Sequence, residues 1–212
     1  MSFTTEASLD LADDPELLSL LTQANFVAVF VGIESPNEDA LRETKKFQNV
    51  RAGDSILGRV HTIQRAGMDV WCGMIVGFDS DDNTIFDRQK RFLKESRITS
   101  SMIGMLHAIP KTPLHARLAE EGRLDYADQP EFGTNVIPLN MSQEELLSGY
   151  LDVLTSVHDV HAFFDRLDEL FIKEKMNLGN RQTEYNAYWK KHPLQWLKSQ
   201  AYDQSTALFA YH

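Results

Sequence analysis

A single carboxylate, Glu34, ends the run Phe26–Val31–Gly32–Ile33, and a lysine pair, Lys45 and Lys46, follows about a helix length later. A carboxylate at a strand end offers two acceptor oxygens at fixed spacing, which suits the two hydroxyls of a ribose. A lysine at the far end of the next helix can return to the same mouth as a cation for a ligand carboxylate, or ease the helix dipole. Forty residues further, GMIVG (Gly73–Gly77) ends a second apolar run. A glycine there lets a ligand approach the backbone, or merely relieves crowding.

Other candidates are weaker. Asp79–Asn83, DSDDN, resembles the start of a calcium loop but lacks the glycine at position six and has Lys90 where the bidentate glutamate belongs, so a helix cap is expected. His158 and His161 have metal-pair spacing without an obvious third ligand. Cys72 lies mid-strand and is expected to be a buried, inert thiol. Trp189, Trp196 and Tyr202 near the C-terminus are expected to cover the core or serve as an interface helix.

The elements that position these residues alternate. The stretch Phe3–Leu11 reads as a strand, and Asp14 caps a helix with Pro15 in its first turn. Phe26–Val31 reads as a parallel strand buried on both faces. Ser35–Glu38, SPNE, reads as a capping box for the next helix. A helix opens at Asp54 and stops at Gly67, followed by the strand Met68–Phe78, a helix through Ile85 and Phe92, and a fourth strand ended by Pro110. Strands separated by helical patterns imply a parallel sheet, either open and doubly wound or a (β/α) barrel. In both, chemistry collects beyond the C-terminal strand ends, at Glu34 and Ser35, Gly77 to Asp79, and His107 to Thr112. No dinucleotide or P-loop glycine motif occurs. After Leu124 a loop precedes a mainly helical remainder.

Composition narrows the class. The chain has 212 residues, 42% hydrophobic and 25% charged, with a net charge of −10, which argues against a nucleic-acid groove. One cysteine excludes an intrachain disulfide and suits a reducing, cytoplasmic setting. No apolar run reaches the length of a membrane span, and no signal peptide is evident.

Taken together, Phe26–Asn49, Ala66–Asp82 and Leu106–Leu124 resemble the latter half of a radical SAM barrel, and are most similar to the group linked to cobalamin-binding domains, which includes the hopanoid methylases. The likeness runs from about Phe3 to Leu124 and continues more loosely through Tyr150. It implies a partial (β/α) TIM-type barrel of about four parallel strands over residues 1–124, with a helical C-terminal extension over 125–212. It implies an enzyme that reductively cleaves S-adenosylmethionine to a 5′-deoxyadenosyl radical, with methyl transfer or rearrangement at unactivated carbon as the outcome. By position in the motifs, Glu34 and Ser35 would meet the ribose, Lys46 the methionine carboxylate, and Gly73, Ile75 and Gly77 the adenine, while Glu6 matches a carboxylate near cofactor or substrate. The family's CxxxCxxC cluster motif is missing, as are its glycine-rich second-strand stretch and a cobalamin domain. The [4Fe–4S] cluster and cobalamin of full-length relatives would therefore not be ligated by this chain, which is expected to be a C-terminal fragment, inactive alone. The missing barrel half, or self-association through an open sheet edge, is the expected partner. Two other readings stay open: a non-catalytic subunit completing a barrel with a separately encoded cluster half, and an unrelated (β/α) enzyme using Glu34, Lys46 and His107 in acid-base chemistry.

Overall fold

A computed structural model describes residues 2–50, 55–127, 133–174, 176 and 190–194. The chain divides into one unit of Met1–Asn177 and a second of Leu178–His212, of which only residues 190–194 are described. The aromatic stretch around Trp189, Trp196 and Tyr202 falls outside the described residues.

The first unit is built on four strands, β1 (Phe3–Ala7), β2 (Phe26–Glu34), β3 (Asp69–Val76) and β4 (Ser100–Met105), in the order β1-β2-β3-β4 with every pairing parallel. Helices α1 (Pro15–Gln23), α2 (Glu38–Glu43), α3 (Ile56–Arg65) and α4 (Ile85–Ser96) fill the crossovers, and α5 (Pro113–Glu120), α6 (Gln143–His158) and α7 (Val160–Leu167) follow β4. Sequential parallel strands with helical crossovers form the expected partial α/β barrel.

Burial alternates along each strand, because successive side chains point to opposite faces. Val29, Val31 and Ile33 of β2, Val70, Cys72, Met74 and Val76 of β3, and Ile103 and Met105 of β4 are buried. They join Val60 and Ile63 of α3, Phe92 and Leu93 of α4, and Leu146, Tyr150 and Val153 of α6 in one apolar core. The opposite face carries Glu6, Phe30, Trp71, Gly73 and Met102, with Met102 69% exposed and Trp71 36% exposed. β2 was expected to be buried on both faces; its burial instead follows a two-residue period, since helices cover only one side.

Local signals held where side chains could satisfy the backbone. Asp14 accepts from Leu17 N at 2.9 Å and caps α1. Ser142 and Glu145 form a reciprocal capping box at the start of α6. Two expectations are corrected. The first strand stops at Ala7 because Leu9–Asp13 turns into a 3-10 segment that buries Leu9 and Leu11. The cap of α2 is Asn37, whose side chain accepts from Asp39 N, while Ser35 Oγ, two residues earlier, accepts from Asn37 N.

Candidate functional site

The C-terminal end of β2 is irregular in a way that aims one side chain. Gly32 pairs with Gly73 in register, then the pairing skips to Glu34 opposite Met74, leaving Ile33 as an extra residue. Such a bulge bends the strand and redirects a side chain. Glu34 has φ +67°, and Ser35 N donates to Ile33 O at 2.9 Å across it, closing a three-residue turn. A non-glycine residue held there costs about 1–3 kcal/mol and persists only where its surroundings enforce it. Asn49 enforces it: its Nδ2 donates to both Gly32 O and Ile33 O at 3.2 Å, and the residue is 5% exposed.

α2 ends in a Schellman-type turn. Lys45 sits in the left-handed region at φ +58°, Lys45 N donates to Arg42 O, and Lys46 N donates to Leu41 O at 2.8 Å. The reversal sends Lys46 back to the strand end, where its Nζ lies 2.9 Å from Glu34 Oε1. Both groups hang over Gly32: a Cβ there would lie 2.7 Å from Glu34 Oε1 and 3.5 Å from Lys46 Nζ. Gly32 projects to the same sheet face as Gly73, so carboxylate and ammonium share the open side of the sheet at its C-terminal rim.

The other expected residues are placed as follows. Glu6 aligns with Phe30 and is exposed on that same face. Gly73 lies under the ring of Phe30, 3.3 Å from where a Cβ would stand. Ser35 is fully buried, with its hydroxyl held in the turn toward α2. Ile75 gives its carbonyl to Gln89 Nε2 at 2.8 Å. Gly77 has φ +98° and approaches Leu146 of α6, and its N–H and that of Phe78 both donate to Asp81 Oδ2. The geometry thus joins Glu34 and Lys46 directly and spreads Glu6 and Gly73 along the face beside them. Ser35 and Gly77 are tied into the loops that frame the rim. His107 is exposed beyond β4.

Sequence reasoning missed the frame itself. Asp79, just past β3, accepts from Arg117 Nη1 at 2.6 Å and Arg123 Nη2 at 2.5 Å. Burial opposes its charge, but the two guanidinium groups win and hold its carboxyl below the ordinary range. Glu43 sits beside it; burial and the Asp79 charge push its pKa up. Glu43, Lys45, Phe78, Leu106, Leu114 and Arg117 line a 520 Å³ cavity at this rim. Lys45 therefore borders this cavity, while Lys46 turns back to Glu34. Arg117 and Arg123 carry no motif signal, since their partner Asp79 is about forty residues away.

The residues do not suit an iron–sulfur cluster. Cys72 is the only cysteine, is fully buried mid-strand, and burial pushes its thiol up to about 12, far from the thiolate a cluster needs. Among the described residues no group of three or more His, Cys, Asp or Glu is placed to hold a metal ion, and His158 instead bonds Leu154 O. Asp82 closes a turn onto Thr84 rather than ligating. Among those residues no helix is long and apolar enough to cross a membrane.

Residues 112–204 match the family described as a domain of unknown function, DUF4070. An uncharacterized methyltransferase, sll1242, of Synechocystis is 38% identical over 176 residues, covering 81% of this chain and 32% of the relative. The hopanoid C-2 methylase of Rhodopseudomonas palustris is 33% identical, covering 79% and 31%. The bacteriochlorophyllide d C-12(1)-methyltransferase of Chlorobaculum tepidum is 22% identical, covering 76% and 35%. Among solved structures, an N-terminally deleted Elp3 of Methanocaldococcus infernus superposes with a TM-score of 0.46 at 13% identity, covering 71% of this chain and 41% of that one. These matches bear out the resemblance to the hopanoid-methylase-like group of radical SAM proteins, and the curated relatives matched are named as methylases or methyltransferases. The chain spans about a third of the length of those curated relatives.

Proposed function

We propose that this chain forms the S-adenosylmethionine-gripping part of a radical SAM methylase, with residues 1–124 as the barrel portion and 125–212 as its helical extension. The observation that carries the reading is the Glu34–Lys46 pair poised over Gly32 on the open sheet face. Each charge satisfies the other. A ligand with a vicinal diol at one end and a carboxylate at the other can replace that internal contact, the diol donating to Glu34 and the carboxylate accepting from Lys46. Gly32 leaves room for the carboxylate and ammonium above it, the Phe30 ring covers Gly73, and Glu6 lies on the same sheet face.

The cluster belongs to another polypeptide segment in this reading, since the lone buried thiol here cannot supply it. When present, the cluster would deliver the electron for S-adenosylmethionine cleavage, and cobalamin would carry the methyl group. This chain's own task is to hold the adenosyl and methionine ends apart in a fixed orientation. The exposed Trp71 and Met102 and the free edge of β1 form the surface that a cluster-bearing barrel half would cover, in the cytoplasm.

Calorimetric titration with S-adenosylmethionine tests the reading. Saturable binding that Glu34→Gln weakens at least about tenfold supports it. Absence of binding by the chain both alone and mixed with a cluster-bearing barrel half refutes it. In size-exclusion chromatography the chain alone is expected to associate through its open face; a soluble monomer that melts cooperatively would contradict the partner surface.

A further inference from the structure

Arg166, in α7, is a buried cation without an acid. It is 6% exposed, and among the described residues no carboxylate lies within ion-pair distance of it. Nε donates to Ile98 O and Nη2 to Val157 O, both at 2.8 Å, so the side chain braces the last turn of α6. These bonds use two of its five donors and, among the described residues, leave Nη1 without a partner. Main-chain carbonyls at a helix C-terminus carry only partial charge. Burial accordingly pushes the Arg166 pKa down, with no carboxylate opposing it.

The guanidinium borders a 490 Å³ cavity between α4, α6 and α7. Four cations and three acids face it, but most are already matched. Lys90 is held by Asp87 and Asp152, and Lys173 by Glu169. Asp165 and Asp168 act on Lys173, raising its pKa, and not on Arg166. Among the described residues, Arg166 Nη1 and the amine of Lys94 remain as cations without a counter-ion, and Ser156 lines the same cavity. α4 and α6 pack on the covered face of the sheet, so this cavity is separate from the Glu34–Lys46 rim on the other face.

We propose that this cavity binds a phosphate group carried on a small hydroxylated molecule. Arg166 and Lys94 contact the phosphate, and Ser156, Asp165 and Asp168 face the hydroxyls. A guanidinium held by Nε and Nη2, with its Nη1 end unused, suits a phosphate oxygen, and the volume lies within the range of small-molecule sites.

The test is thermal unfolding and calorimetric titration of the intact chain with inorganic phosphate, ribose 5-phosphate and ribose, each at matched ionic strength against chloride. Both phosphates are expected to raise Tm, the ester more, and ribose to leave it unchanged. Lys94 is exposed, so Lys94→Ala should fold normally and lose affinity for ribose 5-phosphate by at least about tenfold. Arg166→Lys keeps the charge and loses the fork, and should weaken binding further. No Tm rise in the wild type beyond chloride, equal binding of ribose, or unchanged affinity in Lys94→Ala would each overturn the site. Should Arg166→Lys fail to fold, the Lys94 variant still decides.

Discussion

Lys46 Nζ stands 2.9 Å from Glu34 Oε1 because two left-handed residues, Glu34 and Lys45, turn the chain at both ends of α2. The pair is partly solvated, with the lysine side chain 36% and the glutamate 18% exposed, so its own contribution to stability is about 0–1 kcal/mol. Its value lies in placement. Two unlike charges are held on one rim, with glycine beneath them.

Removing the carboxylate separates these roles. Glu34→Gln should lower S-adenosylmethionine affinity about 10- to 100-fold while changing unfolding free energy by less than about 1 kcal/mol. Calorimetry and urea unfolding on the same preparation check both halves. A large stability loss with unchanged affinity would make the pair a mere brace.

Gly32→Ala displaces that carboxylate without altering any charge. The added Cβ would stand 2.7 Å from Glu34 Oε1, so the flexible carboxylate must move. Affinity for S-adenosylmethionine should fall, and stability should change little because the obstructing atom is a side-chain end. Crystallographic or NMR comparison would show whether Glu34 leaves Lys46.

Asn49→Ala leaves the carbonyls of Gly32 and Ile33 without their shared donor in a buried setting. The expected cost is about 1–3 kcal/mol in urea unfolding, with weaker S-adenosylmethionine binding as the bulge relaxes. The two glycines Gly149 and Gly104 provide a contrast. A Cβ at Gly149 of α6 would lie 2.2 Å from the Phe86 ring, so Gly149→Ala should cost about 1–3 kcal/mol by overpacking. Gly104 has nothing within 4 Å, and Gly104→Ala should stay within about 0.5 kcal/mol of wild type.

Two carboxylates should titrate with opposite effects on stability. Burial raises the pKa of Asp69 above its ordinary 3.8, its bonds from Thr99 and Trp71 only partly compensating. An acid with a raised folded pKa favours the fold while protonated, and that contribution is lost as pH climbs from 3.8 through the folded value. Asp69→Asn should therefore be more stable than wild type at pH 7, with the gap closing below pH 3.8. Asp79 is shifted down, so its contribution is present above 3.8 and lost as pH falls through its lower folded value. Asp79→Asn should be less stable than wild type at pH 7, the gap again closing in acid. Equilibrium unfolding between pH 3 and 7 reads both signs; matching signs for the two variants would contradict the electrostatics.

Cys72 should stay silent toward a thiol reagent in the native state. Full burial and a thiol pushed up to about 12 leave neither access nor thiolate. Modification should appear only with unfolding; rapid labelling of the native protein would show that β3 is open.

Much of the architecture was legible in the residues because it rests on local rules. The β-α alternation, Asp14 as a cap, Gly67 as a stop and Cys72 as an inert core thiol all follow from side-chain chemistry within a few positions. The errors share one cause. Ser35 and Asn37 are both good caps, and propensity cannot choose between them when the bulge at Glu34 sets where α2 begins. Likewise, an apolar run such as Phe26–Val31 does not reveal that only one face is covered, since the helices that cover it lie elsewhere in the chain.

The sequence by itself determined the strand and helix order, and which polar residues stand at strand ends. Those outcomes depend on periodicity and on backbone demands that neighbouring residues satisfy. Only the tertiary structure decided that Glu34 meets Lys46 over Gly32, that Asn49 locks the bulge beneath them, that Asp79 binds Arg117 and Arg123, and that Arg166 is buried with no acid within ion-pair distance among the described residues. Each depends on long-range packing that brings separated segments within hydrogen-bond distance or removes them from water, and no local pattern encodes that proximity.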